Sequence, residues 1–253
     1  MQLVEFQNLR GFCFSKYANG AQLRHVFGAR NEDDAGNLAL SGGRDGSAAR
    51  RARATWSRYL HVAAEDWVVG GQTHSNHVQV VGEAQRGRGA LAPTDVLPET
   101  DGLFTLCRGL PLYVAVADCS AVLLHAPGAL AVVHGGWRGL AAGIMTTAVA
   151  RFLEVGIAAA DIHAGIAPCI ATASYEVGPE VAKSCPTVAK YRGQKDRWHV
   201  DIAQWAGADL LAAGIKAANL SIAGLDTGSD SRLFSHRRQG EGAGRNGLIA
   251  VLV

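Results

Sequence analysis

Residues 129–143 read "ALAVVHGGWRGLAAG". The first six are apolar and β-rich up to a histidine, His134. The last six favour helix. Between them lie Gly135, Gly136, Trp137, Arg138 and Gly139, so the stretch is a buried strand that turns sharply into a helix. Working outward, "LYVAVADC" (112–119) and "AVLLHAPG" (121–128) are two more short β-rich runs broken by turn residues. Each is apolar on both faces, which predicts a sheet covered on both sides. Downstream, "RGLAAGIMTTAVARFLEVG" (138–156) reads as one long helix stopped by Gly156 as a left-handed cap.

The flanking segments extend the pattern. Residues 28–48 are rich in Gly, Asp and Asn and read as a loop. A helix follows over 49–63, with Trp56, Tyr59, Leu60 and Ala63 on one face. Residues 66–84 read as strand, turn, strand, and 85–100 as another loop. "IHAGIAP" (162–168) is a strand, "SYEVGPEVAKSC" (174–185) begins a helix, and "DIAQWAGADLLAAGI" (201–215) is an amphipathic helix ending near Gly214. The C-terminal residues close with a strand. Strands and helices mix without a strict βαβ alternation, and neither G-x-G-x-x-G nor a P-loop is present. The expected fold class is α/β (mixed α+β): one domain over 1–253, a layered sandwich of mixed β-sheets flanked by helices.

Composition sets bounds on function. Apolar residues make up 48% of the 253 and charged residues 18%, enough for a substantial core. Lys plus Arg (24) less Asp plus Glu (22) gives +2, no electrostatic footprint for nucleic acid. The longest apolar runs are strand length, and the first fifteen residues lack the basic start and apolar centre of a secretory leader. Cys13, Cys107, Cys119, Cys169 and Cys185 are odd in number and contain no C-x-x-C spacing. A reduced, cytoplasmic protein without membrane or nucleic-acid partners is expected.

Three segments combine reactive groups with apolar surroundings. "GGQTHSNHV" (70–78) carries His74 and His77, "VAVADCSAVLL" (114–124) carries Asp118 and Cys119, and "AVVHGGWRG" (131–139) carries His134. A loop histidine is often merely solvated, and a buried cysteine is often an inert small hydrophobe. Together, however, His74, Cys119 and His134 are two nitrogens and a sulfur, each expected at a strand edge. That set suits zinc, and three protein ligands leave a fourth position open, as catalytic zinc requires. Beside it, a helix starting near Arg138 aims free N–H groups at the turn, and Gly135, Gly136 and Gly139 let backbone approach a ligand. This is a candidate phosphate pocket. The other reading is that the glycines serve helix–sheet packing and Arg138 sits in a structural salt bridge. Near the C-terminus, "FSHRRQGEGAGR" (234–245) holds Arg237, Arg238 and Arg245, whose role stays open against that of a solvated basic turn.

These segments, in this order, resemble the YfiH-type family, also called the polyphenol oxidase or laccase-domain family, which includes purine nucleoside phosphorylase-like enzymes and peptidoglycan editing factors. The resemblance rests on Q-x-H at Gln72–His74, A-D-C at 117–119, H-x-G-W-R-G at 134–139, "GIAPCI…SYEVGPEV", and S-x-R-R…G-R at 235–245. "TDGLFT" (100–105) and "GNLAL" (36–40) add to it. The chain departs from the pattern at Ser75, Ala121, Gly228 and His236, none of them a proposed ligand. The resemblance implies a mixed α/β fold similar to the catalytic domain of a deamidating toxin, and one Zn2+ on His74, Cys119 and His134. It also implies phosphorolysis of adenosine, inosine and methylthioadenosine, and deamination of adenosine; some members edit peptidoglycan precursors. Copper suits the chain less well, because a multicopper oxidase needs many clustered histidines and this chain has nine with no H-x-H pair.

The first expectation is therefore an enzyme acting on a nucleoside and phosphate. His74, Cys119 and His134 hold the metal, and Asp118 is an acid/base candidate by position. Gln72, Gly135, Gly136, Arg138 and Gly139 are candidates for substrate or phosphate contacts. The deaminase signature H-x-E with P-C-x-x-C is absent. Two alternatives keep the same residues: Cys119 as a nucleophile activated by His134 in an amidohydrolase acting on a muropeptide bond, or a non-enzymatic zinc protein.

Overall fold

A computed structural model describes residues 1–18, 22–31, 36–40 and 46–253, without the side chains of 17 and 18. Its strands are β1 (Gln2–Phe6), β2 (Leu9–Cys13), β3 (Leu23–Gly28), β4 (Val68–Val69), β5 (Val78–Val80), β6 (Gly102–Thr105), β7 (Leu112–Val116), β8 (Ser120–Ala126), β9 (Ala129–Gly135), β10 (His163–Ile166), β11 (Glu176–Val177), β12 (Lys190–Arg192), β13 (Trp198–Val200), β14 (Leu220–Ile222) and β15 (Asn246–Leu252). The helices are α1 (Ser15–Ala18), α2 (Gly46–Leu60), α3 (Trp137–Ala141), α4 (Ile144–Glu154), α5 (Pro179–Ser184), α6 (Ile202–Ala212) and α7 (His236–Gln239). Among the described residues no helix is long and apolar enough to cross a membrane.

Two six-stranded sheets form the body, in the orders β1-β2-β3-β15-β7-β4 and β14-β10-β8-β9-β6-β5, with a small third sheet β11-β13-β12. Both large sheets are mixed. β4 runs parallel to β7, β5 to β6 and β10 to β14, while the remaining pairs are antiparallel. Strands from both ends of the chain share the first sheet.

Side-chain alternation sets the layers. Leu123 of β8 and Leu130 and Val132 of β9 point into a core shared with Val114, Leu248 and Phe27 of the first sheet. Their neighbours Val122, Leu124, Ala131 and Val133 point the other way, against Ile144, Met145 and Phe152 of α4 and Trp205 and Leu210 of α6. On the outer face of the first sheet, α2 seats Trp56 and Leu60 on Val26, Tyr113 and Ile249. The result is helix, sheet, sheet, helix. The apolar character of β8 and β9 on both faces follows from their place between a sheet and a helical layer.

Several local expectations are corrected. The helix expected over 138–156 is two, because Gly143 adopts φ +83°, a left-handed turn that ends α3 and starts α4. Gly156, also at positive φ, does stop α4. The helix expected from residue 174 does not form there: Thr172–Ser174 make a short 3-10 turn, Glu176–Val177 form a strand, and α5 starts at Pro179, where a missing N–H costs nothing. α2 begins at Gly46 rather than residue 49; the loop expected over 28–48 falls partly outside the described residues. β4 and β5 do not pair with one another. They belong to different sheets, so the segment between them crosses from one sheet to the other.

Candidate functional site

His74 lies in that crossing, well beyond β4 and before β5, with φ +63°. Cys119 lies in a second crossing, between β7 of the first sheet and β8 of the second. His134 is the penultimate residue of β9. The expectation that all three sit at strand edges fails for His74, yet the fold gathers them: one donor atom from each lies within 4.8 Å of the others. Cys119 Sγ is 3.9 Å from His74 Nε2, and the two imidazoles meet edge-on at 4.8 Å between centroids. Zinc bonds of ~2.1 Å to nitrogen and ~2.3 Å to sulfur place tetrahedral donors roughly 3.5 Å apart. The set fits after a small contraction. His74 is exposed, Cys119 half-buried and His134 buried, which leaves one side open.

The residue that builds this geometry is Asp101, fully buried immediately before β6. Its Oδ1 accepts from the His74 amide at 3.0 Å and lies 2.7 Å from His134 Nδ1. Its Oδ2 accepts from the amides of Thr73 (3.0 Å) and Ser75 (2.8 Å) and from the Ser75 hydroxyl (2.8 Å). The carboxylate therefore holds the His74 loop in its strained turn. It also fixes His134 with Nδ1–H towards itself and Nε2 towards the cluster, the usual support of a metal-bound histidine. Burial raises the Asp101 pKa, but hydrogen bonds from His134, Ser75 and Thr73 outweigh it and hold the group well below the carboxylate range.

Gly136 lets the cluster close. A Cβ there would lie 2.4 Å from His74 Cδ2 and 3.3 Å from Cys119 Sγ. Gly135 faces the Ser120 hydroxyl and Gly139 the Ser75 carbonyl, at 2.3 and 2.8 Å from their would-be Cβ atoms. These glycines bring protein against protein at the site. With no metal, burial raises the Cys119 thiol, but the charge and hydrogen bonds of His134, and then of His74, bring it below its ordinary value. Burial lowers His134, and the Cys119 thiolate and Asp101 more than restore it. In the absence of metal both shifts favour a thiolate beside an imidazolium.

The cluster sits in a cleft of ≈ 850 Å³. Four arginines line it, Arg53, Arg138, Arg237 and Arg245, against one acid, Asp118. Arg138 is exposed, stacks on Trp137 at 4.3 Å and has no carboxylate partner among the described residues, so the structural salt bridge is not found. Arg237 stacks on Tyr175 at 5.3 Å. Burial, then the Cys119 charge, push the Tyr175 phenol up to about 12, which keeps it a proton donor. Arg238 lies apart from these, holding the carbonyls of Thr227, Asp230 and Leu233. Asp118, at φ +87°, accepts from Thr227 Oγ1 (2.6 Å) and the Arg237 amide (2.7 Å), clamping α7 to the cleft wall. Gln72 spends both ends of its amide on the Ala115 backbone, extending the β4–β7 pairing. Asp101, Tyr175, Arg53 and Tyr113 were not among the sequence candidates. "TDGLFT" and "SYEVGPEV" held the first two within matched segments.

Residues 20–253 match the family described as multi-copper polyphenol oxidoreductase laccase. The chain belongs to this family. Among relatives of this laccase-domain family, the purine nucleoside phosphorylase YlmD of Bacillus subtilis (strain 168) is 32% identical over 191 residues, covering 72% of this chain and 69% of the relative. Adenosine deaminase RL5, from an unknown prokaryotic organism, is 29% identical over 261 residues, 96% of this chain and 97% of the relative. The crystal structure of YlmD from Geobacillus stearothermophilus superposes with a TM-score of 0.91 at 25% identity, covering 98% and 97% of the two chains. The Bacillus licheniformis protein YfiH gives 0.91 at 24% identity over 97% of each chain, sharing the fold. The names of these relatives make this a family of nucleoside-processing enzymes. Among the described residues only His74, Cys119 and His134 gather three metal-binding side chains, one centre rather than several.

Proposed function

We propose that this chain is a zinc-dependent purine nucleoside enzyme that phosphorolyses adenosine, inosine or methylthioadenosine, with deamination of adenosine as a second reaction. The observation that carries the reading is a His–Cys–His cluster, open on one side, in a cleft lined by four arginines and one acid. His74, Cys119 and His134 would hold zinc, which when bound supplies Lewis acidity. Asp101 keeps His134 in the tautomer that offers Nε2.

In phosphorolysis, a phosphate oxygen attacks ribose C1′, the bond from C1′ to the purine nitrogen breaks, and its electron pair leaves with the base, which takes a proton. Arg138 and Arg237 neutralise the phosphate and orient it. Tyr175, kept protonated and stacked by Arg237, presents a phenol to the same space. Incubation of the protein with adenosine, with and without phosphate, followed by chromatography tests this. Adenine and ribose 1-phosphate formed only with phosphate support phosphorolysis. Inosine in both samples supports deamination, and no product in either refutes the nucleoside reading. The shifts towards a thiolate and an imidazolium favour a second reading, Cys119 as the nucleophile of an amidohydrolase acting on peptidoglycan precursors. Metal content separates the two, since a thiolate held by zinc is not free to attack; activity of a metal-free preparation supports the second.

A further inference from the structure

The cleft extends past the cluster. Along β7 and the turn after it, Tyr113, Ala115, Ala117 and Cys119 share one parity and all line the cleft. Ala115, Ala117 and Cys119 are half-buried, whereas Val116, Asp118 and Ser120 between and after them are buried. Side chains alternate along β7, and although Val116 and Asp118 also reach the cleft, the half-buried Ala115 and Ala117 form a trough floor between Cys119 at one end and Tyr113 at the other. Gly70 and Gly71, which follow the neighbouring parallel strand β4, also line it. Six steps along the chain from Tyr113 to Cys119 hold their separation to at most roughly 20 Å.

The far end carries polar groups that the protein does not use up. Tyr113 is 1% exposed, and among the described residues its hydroxyl has no hydrogen-bond partner of good geometry, although the Arg53 guanidinium beside it interacts with it. Beside it, Arg53 is 3% exposed and has no carboxylate partner among the described residues. Its hydrogen bonds, to the carbonyls of Leu38, Gly89 and Ala90, use Nε and Nη1 only. The guanidinium lies 5.0 Å from the Tyr113 ring centroid and 5.4 Å from that of Trp67. Arg245 lines the cleft and adds positive charge at Tyr113. A buried hydroxyl without a partner costs about 1–3 kcal/mol, and a buried cation without a counter-ion costs more. Both residues line the cleft, and one anionic group of a ligand seated there would satisfy both.

We propose that the Arg53–Tyr113 end of the cleft is a subsite for a carboxylate or phosphate carried at the far end of an elongated nucleoside derivative whose reacting end lies at His74, Cys119 and His134. The inference rests on the nucleoside reading for the identity of the ligand, and on the trough and its donors for the anionic group. It predicts that this enzyme prefers purine nucleosides extended at the 5′ position by a charged group.

Calorimetric titration of the metal-loaded protein tests it with two series: adenosine against its 5′-monophosphate and 5′-diphosphate, and methylthioadenosine against S-adenosylhomocysteine, which ends in an amino-acid carboxylate. Charge-assisted hydrogen bonds at the far end should tighten binding about tenfold or more over the uncharged parent. A gain confined to the first series identifies phosphate, and to the second carboxylate. In Tyr113→Phe the ratio of charged to uncharged affinity should fall at least several-fold. Because the hydroxyl has no hydrogen-bond partner of good geometry among the described residues, this variant should melt close to the parent protein, which separates lost binding from lost folding. If the uncharged nucleosides bind and the extended ones bind no tighter, the subsite is refuted and the nucleoside reading stands. If the extended compounds bind with the predicted ratio while no nucleoside is turned over, the subsite stands and the nucleoside reading falls. If none binds, both fall. An affinity ratio unchanged in Tyr113→Phe also refutes the assignment.

Discussion

Asp101→Asn separates charge and acceptor capacity from shape at the centre of the site. The carboxylate receives three backbone amides, the Ser75 hydroxyl and His134 Nδ1. An asparagine in the same pose keeps one oxygen. If its amide nitrogen replaces Oδ1, the His74 amide and His134 Nδ1–H face a donor; if it replaces Oδ2, the amides of Thr73 and Ser75 do. In either orientation two N–H donors lose their acceptor, all of them part-buried except the buried His134 Nδ1, at about 1–3 kcal/mol each, or about 2–6 kcal/mol together at most. A protein of this size loses about 2–4 °C of melting temperature per kcal/mol, so the midpoint should fall on the order of 10 °C. Losing the carboxylate behind a metal-bound histidine typically weakens metal binding about 10–100-fold. Calorimetry gives the first quantity, and competition for zinc against a chromophoric chelator the second. A variant that melts with the parent and holds zinc as tightly would refute the claim that Asp101 organises the site.

Other perturbations follow from the same structure. Gly136→Ala has an acceptable backbone (φ −76°, ψ 159°), but its Cβ meets His74 and Cys119; zinc affinity should drop about tenfold or more with little change in melting, as for other displaced ligands. Gly143→Ala is the converse, with nothing within 4 Å of its Cβ but φ +83°; it should lose about 1 kcal/mol in urea denaturation and bind zinc normally. His25 accepts the Phe14 amide on Nε2, and burial, then His125, lower its pKa to about 4. The unfolded chain thus protonates first, so stability is complete above about pH 6.5 and declines towards pH 4, by about 3 kcal/mol at most. Urea midpoints at pH 7.5 and 5 should differ accordingly, and less so in His25→Gln. Burial raises Asp209 on α6 to about 6, so its folded form favours the proton and stability falls as pH rises from about 4 through 6. Asp209→Asn should therefore stabilise the protein at pH 7.5 by about 1 kcal/mol after allowing for partial exposure, read as a raised urea midpoint. The gain should vanish at pH 4.

What the sequence discloses and what it hides divide along physical lines. The two-faced apolar pattern of β8 and β9 reports burial between layers, a property each residue carries in its own side chain. The strand-to-helix turn at His134 is equally local. The break at Gly143 is hidden because a glycine inside a helical pattern is tolerated as often as it ends one. The separate sheets of β4 and β5 are hidden because each strand is very short, and its partner lies far along the chain. Asp101 is hidden for the same reason: an acid before an apolar run signals nothing by itself, and its value comes from five donors supplied by residues 73–75 and 134. Arg53 is hidden because an arginine in a helical pattern gives no sign of burial, yet it lies on the buried side of α2, between Trp67 and Tyr113.

The fold explains why residues this far apart meet. β4 and β7 are parallel neighbours in the first sheet, so both chains leave that sheet at the same end. Each then crosses to the second sheet, one through residues 70–77 and the other through 117–119. Two crossings at one end of two adjacent strands must run side by side, and His74 and Cys119 lie on them. β9 delivers His134 to the same end, because its antiparallel register sets Gly135 opposite Ser120, the residue after Cys119. The cluster is thus fixed by strand direction and register, with Asp101 as the tie between the first crossing and β9. Residues 97–99 brace the first crossing: Leu97 bridges Gly70, its carbonyl accepts from the Gly71 amide, and the Glu99 carbonyl accepts from the Ser75 hydroxyl. A one-residue insertion between Gly71 and His74 shifts the histidine away from Asp101 and Cys119, and should abolish zinc binding while both sheets remain paired.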